Sequence, residues 1–405
     1  MRKGEQSILF ITYRTFYRLA NIEARESKSA WMRDWINRID GKTTYTTDGT
    51  IVYCQPCQQQ VENQPFSSRQ QQQQDNENNL QKMDELKKEF SGKQIWASVV
   101  ETTDKKGRYV ANLIIGVLDC KLNKPVLVAV KYLEKTNNET IARFVNDNLR
   151  TFISAENLLL FVTDGARYMI KAAKGLKMFY PNLIHLTCVC HGLNRVCEAI
   201  RAHFVDVDEL IASTKKVFSK APSRVAKFRE LCDLPLPPRP IITRWATWLR
   251  AALYYSEHFD QIGAIVECFN QNDSDAIKKS QISFKIPNVQ ADLAFIRANF
   301  HYLPDAIEKL EARDLLLVES LDILADVGNE INLVPGPVGK VMQEKFGNVL
   351  LNNPGFDQMR EIGMVLRGEH VQMHLPPDVI AKFKYAPIQS CELLQLHLRQ
   401  LQMTL

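Results

Sequence analysis

The sequence predicts an α/β domain on a mixed five-stranded sheet, joined to a large all-helical region. Three observations carry this. Residues 95–132 hold three apolar β runs joined by short turns. Residues 140–203 alternate helical periodicity with two further apolar runs. From Val205 to Leu350 helical periodicity continues with no convincing strand. The chain has 405 residues, 45% hydrophobic and 24% charged. That is ordinary for a folded protein and excludes collagen-like, coiled-coil and wholly disordered classes. No apolar run approaches the roughly 20 residues of a membrane span, so no membrane partner is expected. The opening segment does not read as a signal peptide. The net charge of +5 permits a nucleic-acid partner without demanding one. Nine cysteines, odd in number and thinly spread, argue against a disulfide scaffold and for cytosol or nucleus.

Taken in order, residues 1–27 show no clear period, and Trp31, Trp35 and Ile36 predict a short amphipathic helix. Thr46-Thr47-Asp48-Gly49 turns into the β-prone residues 50–53. The polar tract after Cys57, rich in Gln and Asn, cannot offset its ordering entropy and reads as a linker. Residues 82–90 predict a helix. Residues 95–100, 108–118 and 125–132 predict three strands, the first two joined by the hairpin turn Asp104-Lys105-Lys106-Gly107. Thr140, Phe144, Val145, Leu149 and Phe152 share one helix face. Residues 158–162 are wholly apolar, the pattern of a strand buried on both faces. A helix over 164–179, a strand over 183–188 and a helix over 191–203 complete the series. Three antiparallel strands followed by parallel crossovers is the ribonuclease-H-like layout. The boundaries read 1–60 for an N-terminal region, 61–81 for the linker, 82–204 for the sheet domain, 205–379 for the helical insertion and 380–405 for a C-terminal remnant of the core.

Several co-linear motifs carry a family resemblance. They are residues 96–119, Val162-Thr163-Asp164-Gly165-Ala166, the run Cys188-Val189-Cys190-His191-Gly192-Leu193-Asn194, Thr243-Arg244-Trp245 and residues 380–392. Together they resemble the hAT-superfamily transposases, in particular the animal group with the domain of unknown function 659 and a degenerate BED-type zinc finger. The resemblance implies a cut-and-paste DNA transposase fold, with three acids in Asp-Asp-Glu order holding two divalent metals. It also implies a nuclear protein that dimerises partly through its C-terminal segment.

Two-metal phosphodiester chemistry needs bridging carboxylates. The resemblance puts the first aspartate after Ser98-Val99, where this chain has Val100. Successive strand side chains alternate, so Glu101 is expected to face away, and Asp104 reads as a turn residue. The second acid matches Asp164, which by itself reads equally as a helix N-cap. The third is expected soon after Tyr385-Ala386-Pro387-Ile388-Gln389-Ser390-Cys391-Glu392, in a Val-Glu pair, but this chain has Leu393-Leu394 there. Glu392 is displaced by about half a helical turn. The third glutamate is therefore absent, and no DNA cleavage is expected.

Cys54-x-x-Cys57 matches half of a finger, but the next residues supply no histidine. Structural zinc takes four ligands, so a degenerate pair is expected and zinc binding is not. Cys188-x-x-His191 is shared with the family. It reads as a buried thiol with a local hydrogen bond, or as an inherited floor of the site. Residues 215–250 are the densest positive stretch, and Lys215, Lys216, Lys220, Arg224, Lys227, Arg244 and Trp245 are the DNA-contact candidates. A solvated helix face, and core packing for Trp245, are the plain alternatives. Three readings follow. The first is a transposon-derived, inactive protein with DNA as partner and no cofactor. The second is an active transposase using Mg²⁺ or Mn²⁺. The third is an interaction protein or decayed element. None takes a small-molecule substrate, and self-association is expected to be weakened by the altered C-terminus.

Overall fold

The computed structural model describes residues 81–104, 107–241, 244–312 and 314–389, together with the backbone of three short strands before them. Those strands, β1 (Tyr45–Thr47), β2 (Val52–Cys54) and β3 (Gln59–Val61), form an antiparallel sheet with Tyr45 opposite Cys54 and Val52 opposite Val61. The third lies on polar residues that the sequence assigns to the start of the linker tract. Backbone pairing to β2 accounts for it, because strand formation depends on context more than on intrinsic propensity. Trp31, Trp35, Cys57, most of the linker and residues 390–405 lie outside the described residues.

Helix α1 (81–90) leads into the predicted five-stranded sheet. Its strands are β4 (Ile95–Thr103), β5 (Tyr109–Val117), β6 (Val126–Leu133), β7 (Leu158–Thr163) and β8 (Ile184–Thr187), in the spatial order β6-β5-β4-β7-β8. The β4–β5 and β5–β6 pairs are antiparallel, and the β4–β7 and β7–β8 pairs are parallel. This is the ribonuclease-H-like mixed sheet. Asp104 builds the β4–β5 turn, accepting from the Arg108 N–H at 2.9 Å while its carbonyl accepts from Gly107 at 2.9 Å.

Alternation along the strands sends side chains to two separate cores. Ile95, Ala97, Val99, Leu113, Ile115 and Phe161 pack under α2 (Asn138–Leu149) and α3 (Arg167–Leu176). Helix α2 starts at a capping box in which Asn137 and Thr140 satisfy each other's backbone N–H groups. On the opposite face Leu160, Val162 and Leu186 pack under α4 (Val189–His203). This core runs on without a break into the helices that follow.

Helices α5 (Val205–Phe218), α6 (Pro222–Leu231), α7 (Thr247–Glu267), α8 (Asp275–Phe284), α9 (Val289–Phe300), α10 (Leu303–Leu310), α11 (Leu317–Leu333), α12 (Gly336–Leu351), α13 (Phe356–Leu366) and α14 (Pro377–Ala381) form the helical region. Among the described residues no strand follows Thr187. Asp208 of α5 ties three helices together. Its Oδ1 accepts from Arg201 Nε of α4 at 2.9 Å and from Trp248 Nε1 of α7 at 2.8 Å. Trp248 is core. Helix α7 kinks at His258, where φ is −121°.

Two later segments return to the sheet domain. The buried Asn353 side chain pairs with edge strand β8 as a neighbouring strand would. Its Oδ1 accepts from the Thr187 N–H at 2.8 Å, and its Nδ2 donates to the Thr187 carbonyl at 2.7 Å. Gly355 lies so close that a Cβ there would sit 2.5 Å from the His185 carbonyl oxygen, so only glycine fits. Residues 383–388 then dock beside α4, where the Val189 N–H donates to the Ile388 carbonyl at 3.1 Å. An unpaired strand edge invites unwanted pairing, and these contacts close it.

Candidate functional site

The carboxyl end of β7 lies beside the middle of β4, where the last paired residues are Ser98 and Val162. Two residues further along come Val100 of β4 and Asp164, the first residue past the end of β7, and alternation places both on the same face as α4. Active sites of open α/β sheets collect at such strand ends. Val100 is 7% exposed and pairs across β5 with Asn112. Asn112 Oδ1 and Ser98 Oγ are buried on this face with no hydrogen-bond partner among the described residues. Buried polar atoms are costly in an apolar floor. They mark this face as something other than plain core.

Asp164 is half-buried. Its Oδ1 accepts from the Ala166 N–H at 2.9 Å. The N-cap of α3 is Ala166, so the N-cap reading of Asp164 is corrected to a turn that precedes the helix. This turn also explains why α3 starts at Arg167 and not at Asp164.

Glu101 points to the other side of the sheet, as strand alternation predicts, but it is not idle. Its Oε2 accepts from the Tyr168 hydroxyl of α3 at 2.7 Å. Burial raises the Glu101 pKa, the Tyr168 bond opposes this, and the nearby Asp164 charge adds to the rise. Burial, then the bond to Glu101, then the Asp164 charge hold the Tyr168 hydroxyl well above the usual phenol range.

Beyond Asp164 the chain brings up a cation that no sequence motif indicates. A Cβ on Gly165 would lie 2.4 Å from Nη2 of Arg195 on α4, so the guanidinium rests directly on the backbone of residue 165. Glycine makes that approach possible. One helical turn earlier, His191 hydrogen-bonds Cys188. Burial lowers the His191 pKa, yet the Cys188 bond and charge and the Asp164 carboxylate outweigh it, and the net shift is upward. Cys188 itself is buried at the start of α4.

The two motifs Cys188–Asn194 and Arg244-Trp245 meet here. The rings of His191 and Trp245 lie 4.9 Å apart, edge to face. Asn194 Oδ1 accepts from the Ala246 N–H at 3.1 Å. Ala246 holds φ 51°, a left-handed conformation uncommon for a residue with a Cβ. Arg244, two residues earlier, is exposed. The site thus gathers Val100, Asp164, Cys188, His191, Arg195, Arg244 and Trp245, and Ile388 of the C-terminal segment binds the first residue of α4.

The other basic candidates lie elsewhere, around a small separate core of Val217, Phe218, Phe228, Ile265 and Ile277. Lys215 Nζ donates to the Pro240 carbonyl at 2.8 Å, and Arg224 Nη1 donates to the Val217 carbonyl at 2.8 Å. Arg239 Nη2 donates to the Phe218 carbonyl at 3.2 Å. Arg224 and Arg239 therefore cap the last carbonyls of α5, which is a favoured place for cations. Lys227 pairs with Glu230 at 2.8 Å. Lys216 and Lys220 are exposed and make no ion pair among the described residues. Cys54 lies in β2 and Cys57 outside the described residues, as do Glu392, Leu393 and Leu394.

Residues 69–221 match the family described as "Domain of unknown function (DUF659)". That span contains the five-stranded sheet and helices α1 to α5. No curated protein matches the chain. Among solved structures, the chain is similar to the Drosophila P element transposase strand transfer complex, with 11% identity, a TM-score of 0.25, and coverage of 73% of this chain and 76% of that one. A likeness this remote lends the chain no activity. The family match falls on the sheet that bears the hAT-like motifs, and residues 69–221 are a DUF659 domain.

Proposed function

We propose that this protein is a transposon-derived, DNA-binding protein that does not cleave DNA. The observation that carries the reading is Val100 beside Asp164. A pair of divalent cations about 3.5–4 Å apart needs carboxylates that bridge them. The side chains on this face do not fit such a pair. Asp164 offers one carboxylate, Val100 offers no oxygen, and Glu101 serves Tyr168 on the opposite face. The Arg195 guanidinium beside Gly165 further favours an anion at this strand end over a cation.

DNA binding is supported by the resemblance and by exposed cations, Arg244 at the site and Lys216 and Lys220 beyond it. Phosphate neutralisation by such residues gives sequence-independent affinity. Trp245 serves the fold in this reading, with its ring packed on His191. Cys188 and His191 hold the start of α4 in place. The N-terminal cysteine pair contributes no zinc site, and the protein acts in the nucleus.

Incubation of pure protein with supercoiled plasmid and Mg²⁺ or Mn²⁺ tests both halves. Retarded plasmid without a nicked product is expected. Metal-dependent nicking that disappears in Asp164→Ala overturns the first half. An unretarded plasmid at about 50 mM salt overturns the second.

A further inference from the structure

Helix α3 carries a basic face that no other feature explains. Its sequence, RYMIKAAKGL, contains no acid. Met169, Ala172, Ala173 and Leu176 are buried against the sheet. At 3.6 residues per turn, Arg167, Lys171 and Lys174 fall within about 60° of one another on the side directly opposite. All three are exposed, and none makes an ion pair among the described residues. The line continues into Met178, 86% exposed, flanked by exposed Lys177 and by Phe179 at 59%. At its other end, Arg167 follows Gly165 by two residues, where the Arg195 guanidinium rests. Neighbouring α2 is balanced, with Glu139 and Asp147 against Arg143 and Arg150 nearby.

The geometry points to a nucleic-acid track running from Arg195 across Gly165 and along the outer face of α3. The inference rests on the DNA-binding reading and names the surface that the phosphates meet. Charge complementarity selects the occupant. The three α3 cations are spaced about 6 and 4.5 Å along the axis, at 1.5 Å per residue. A DNA strand carries one charge per 3.4 Å of duplex axis, so a regular polyanion can follow this row. The exposed Phe179 and Met178 at its end offer an apolar surface on which an unpaired base can stack.

The test is fluorescence anisotropy on a labelled random duplex over about 50–300 mM salt. It compares the wild type with Arg167→Gln/Lys171→Gln/Lys174→Gln and with Lys171→Glu/Lys174→Glu. All these positions are exposed, and a matched urea midpoint confirms the fold. The triple variant is expected to bind more weakly, with the slope of log K on log salt shallower by about 2–3, since each phosphate left without its cation lowers the slope by about 0.9. The Glu variant is expected to bind more weakly than wild type at every salt concentration. If wild type binds and the triple variant keeps its slope, the track is wrong while the DNA-binding reading stands. If wild type does not bind the duplex, both fall. Binding to phosphatidylserine-containing vesicles in preference to DNA, abolished in the triple variant, overturns the track in favour of a membrane surface.

Discussion

Lowering the pH from 7.5 to 4.5 is expected to remove about 2.5 kcal/mol of stability through His185 alone. His185 sits on β8, 2% exposed, with its ring against Phe161 at 6.0 Å between centroids. Its Nε2 lies 2.9 Å from Thr163 Oγ1. The Thr163 hydroxyl has one proton and donates it to the Asp164 carbonyl at 2.7 Å. It must therefore accept from His185, which fixes the neutral ring with its proton on Nε2. Burial, followed by the nearby Lys177 charge, lowers the His185 pKa to about 4. The unfolded chain titrates near 6.5. Between those values the unfolded state binds the extra proton, so stability is complete above pH 6.5 and is lost as the pH falls toward 4. Urea unfolding at both pH values, on wild type and His185→Gln, checks this. Glutamine keeps a donor and cannot titrate. Wild type should lose about 2.5 kcal/mol more than the variant over this span. Equal losses would show that His185 does not carry the acid sensitivity.

Asn353→Leu is expected to cost about 2–6 kcal/mol. The side chain is 5% exposed and makes both a donor and an acceptor bond to Thr187 on the edge of the sheet. Leucine is similar in reach but cannot hydrogen-bond, so the loss comes from one N–H and one C=O left without partners, each worth about 1–3 kcal/mol. Asn352, the preceding residue, is exposed, and among the described residues its side chain bonds only the Asn348 carbonyl of its own helix. Asn352→Leu should therefore stay within about 0.5 kcal/mol of wild type. A lower urea midpoint at unchanged slope for Asn353→Leu, and little change for Asn352→Leu, is the expected pattern. Equal effects would mean that the loop does not close the sheet edge.

The strands were legible because their patterns were extreme. Residues 158–163 are apolar but for the final threonine, and every one of them is buried. The turn at Asp104 was legible for the same local reason. The start of α3 was not. Asp164 looks like an N-cap in the sequence, and only the bond to Ala166 shows that it closes a turn one step before the helix.

Charge density along the chain was a poor guide to free charge. Residues 215–250 hold nine cations, yet Lys215, Arg224 and Arg239 are spent on carbonyls. The cations of α3 remain exposed because that helix has no acid to pair with. Arg195 is invisible to motif reading because its place depends on a contact with Gly165 about thirty residues earlier, which no spacing rule encodes. The same holds for Glu101 with Tyr168, 67 residues apart, and for Asn353 with Thr187, 166 residues apart. The motifs contain both partners of the His191–Trp245 contact, without indicating that they touch.

The central claim is that the strand end at Asp164 no longer holds a pair of divalent metals. Titration of Mn²⁺ into the pure protein, followed by the loss of the free-ion paramagnetic resonance signal, tests it most directly. Wild type and Asp164→Ala are expected to give superimposable curves, with no saturable site that depends on Asp164. Two saturable equivalents of Mn²⁺ per chain in wild type, both absent in a folded Asp164→Ala variant, would contradict the account.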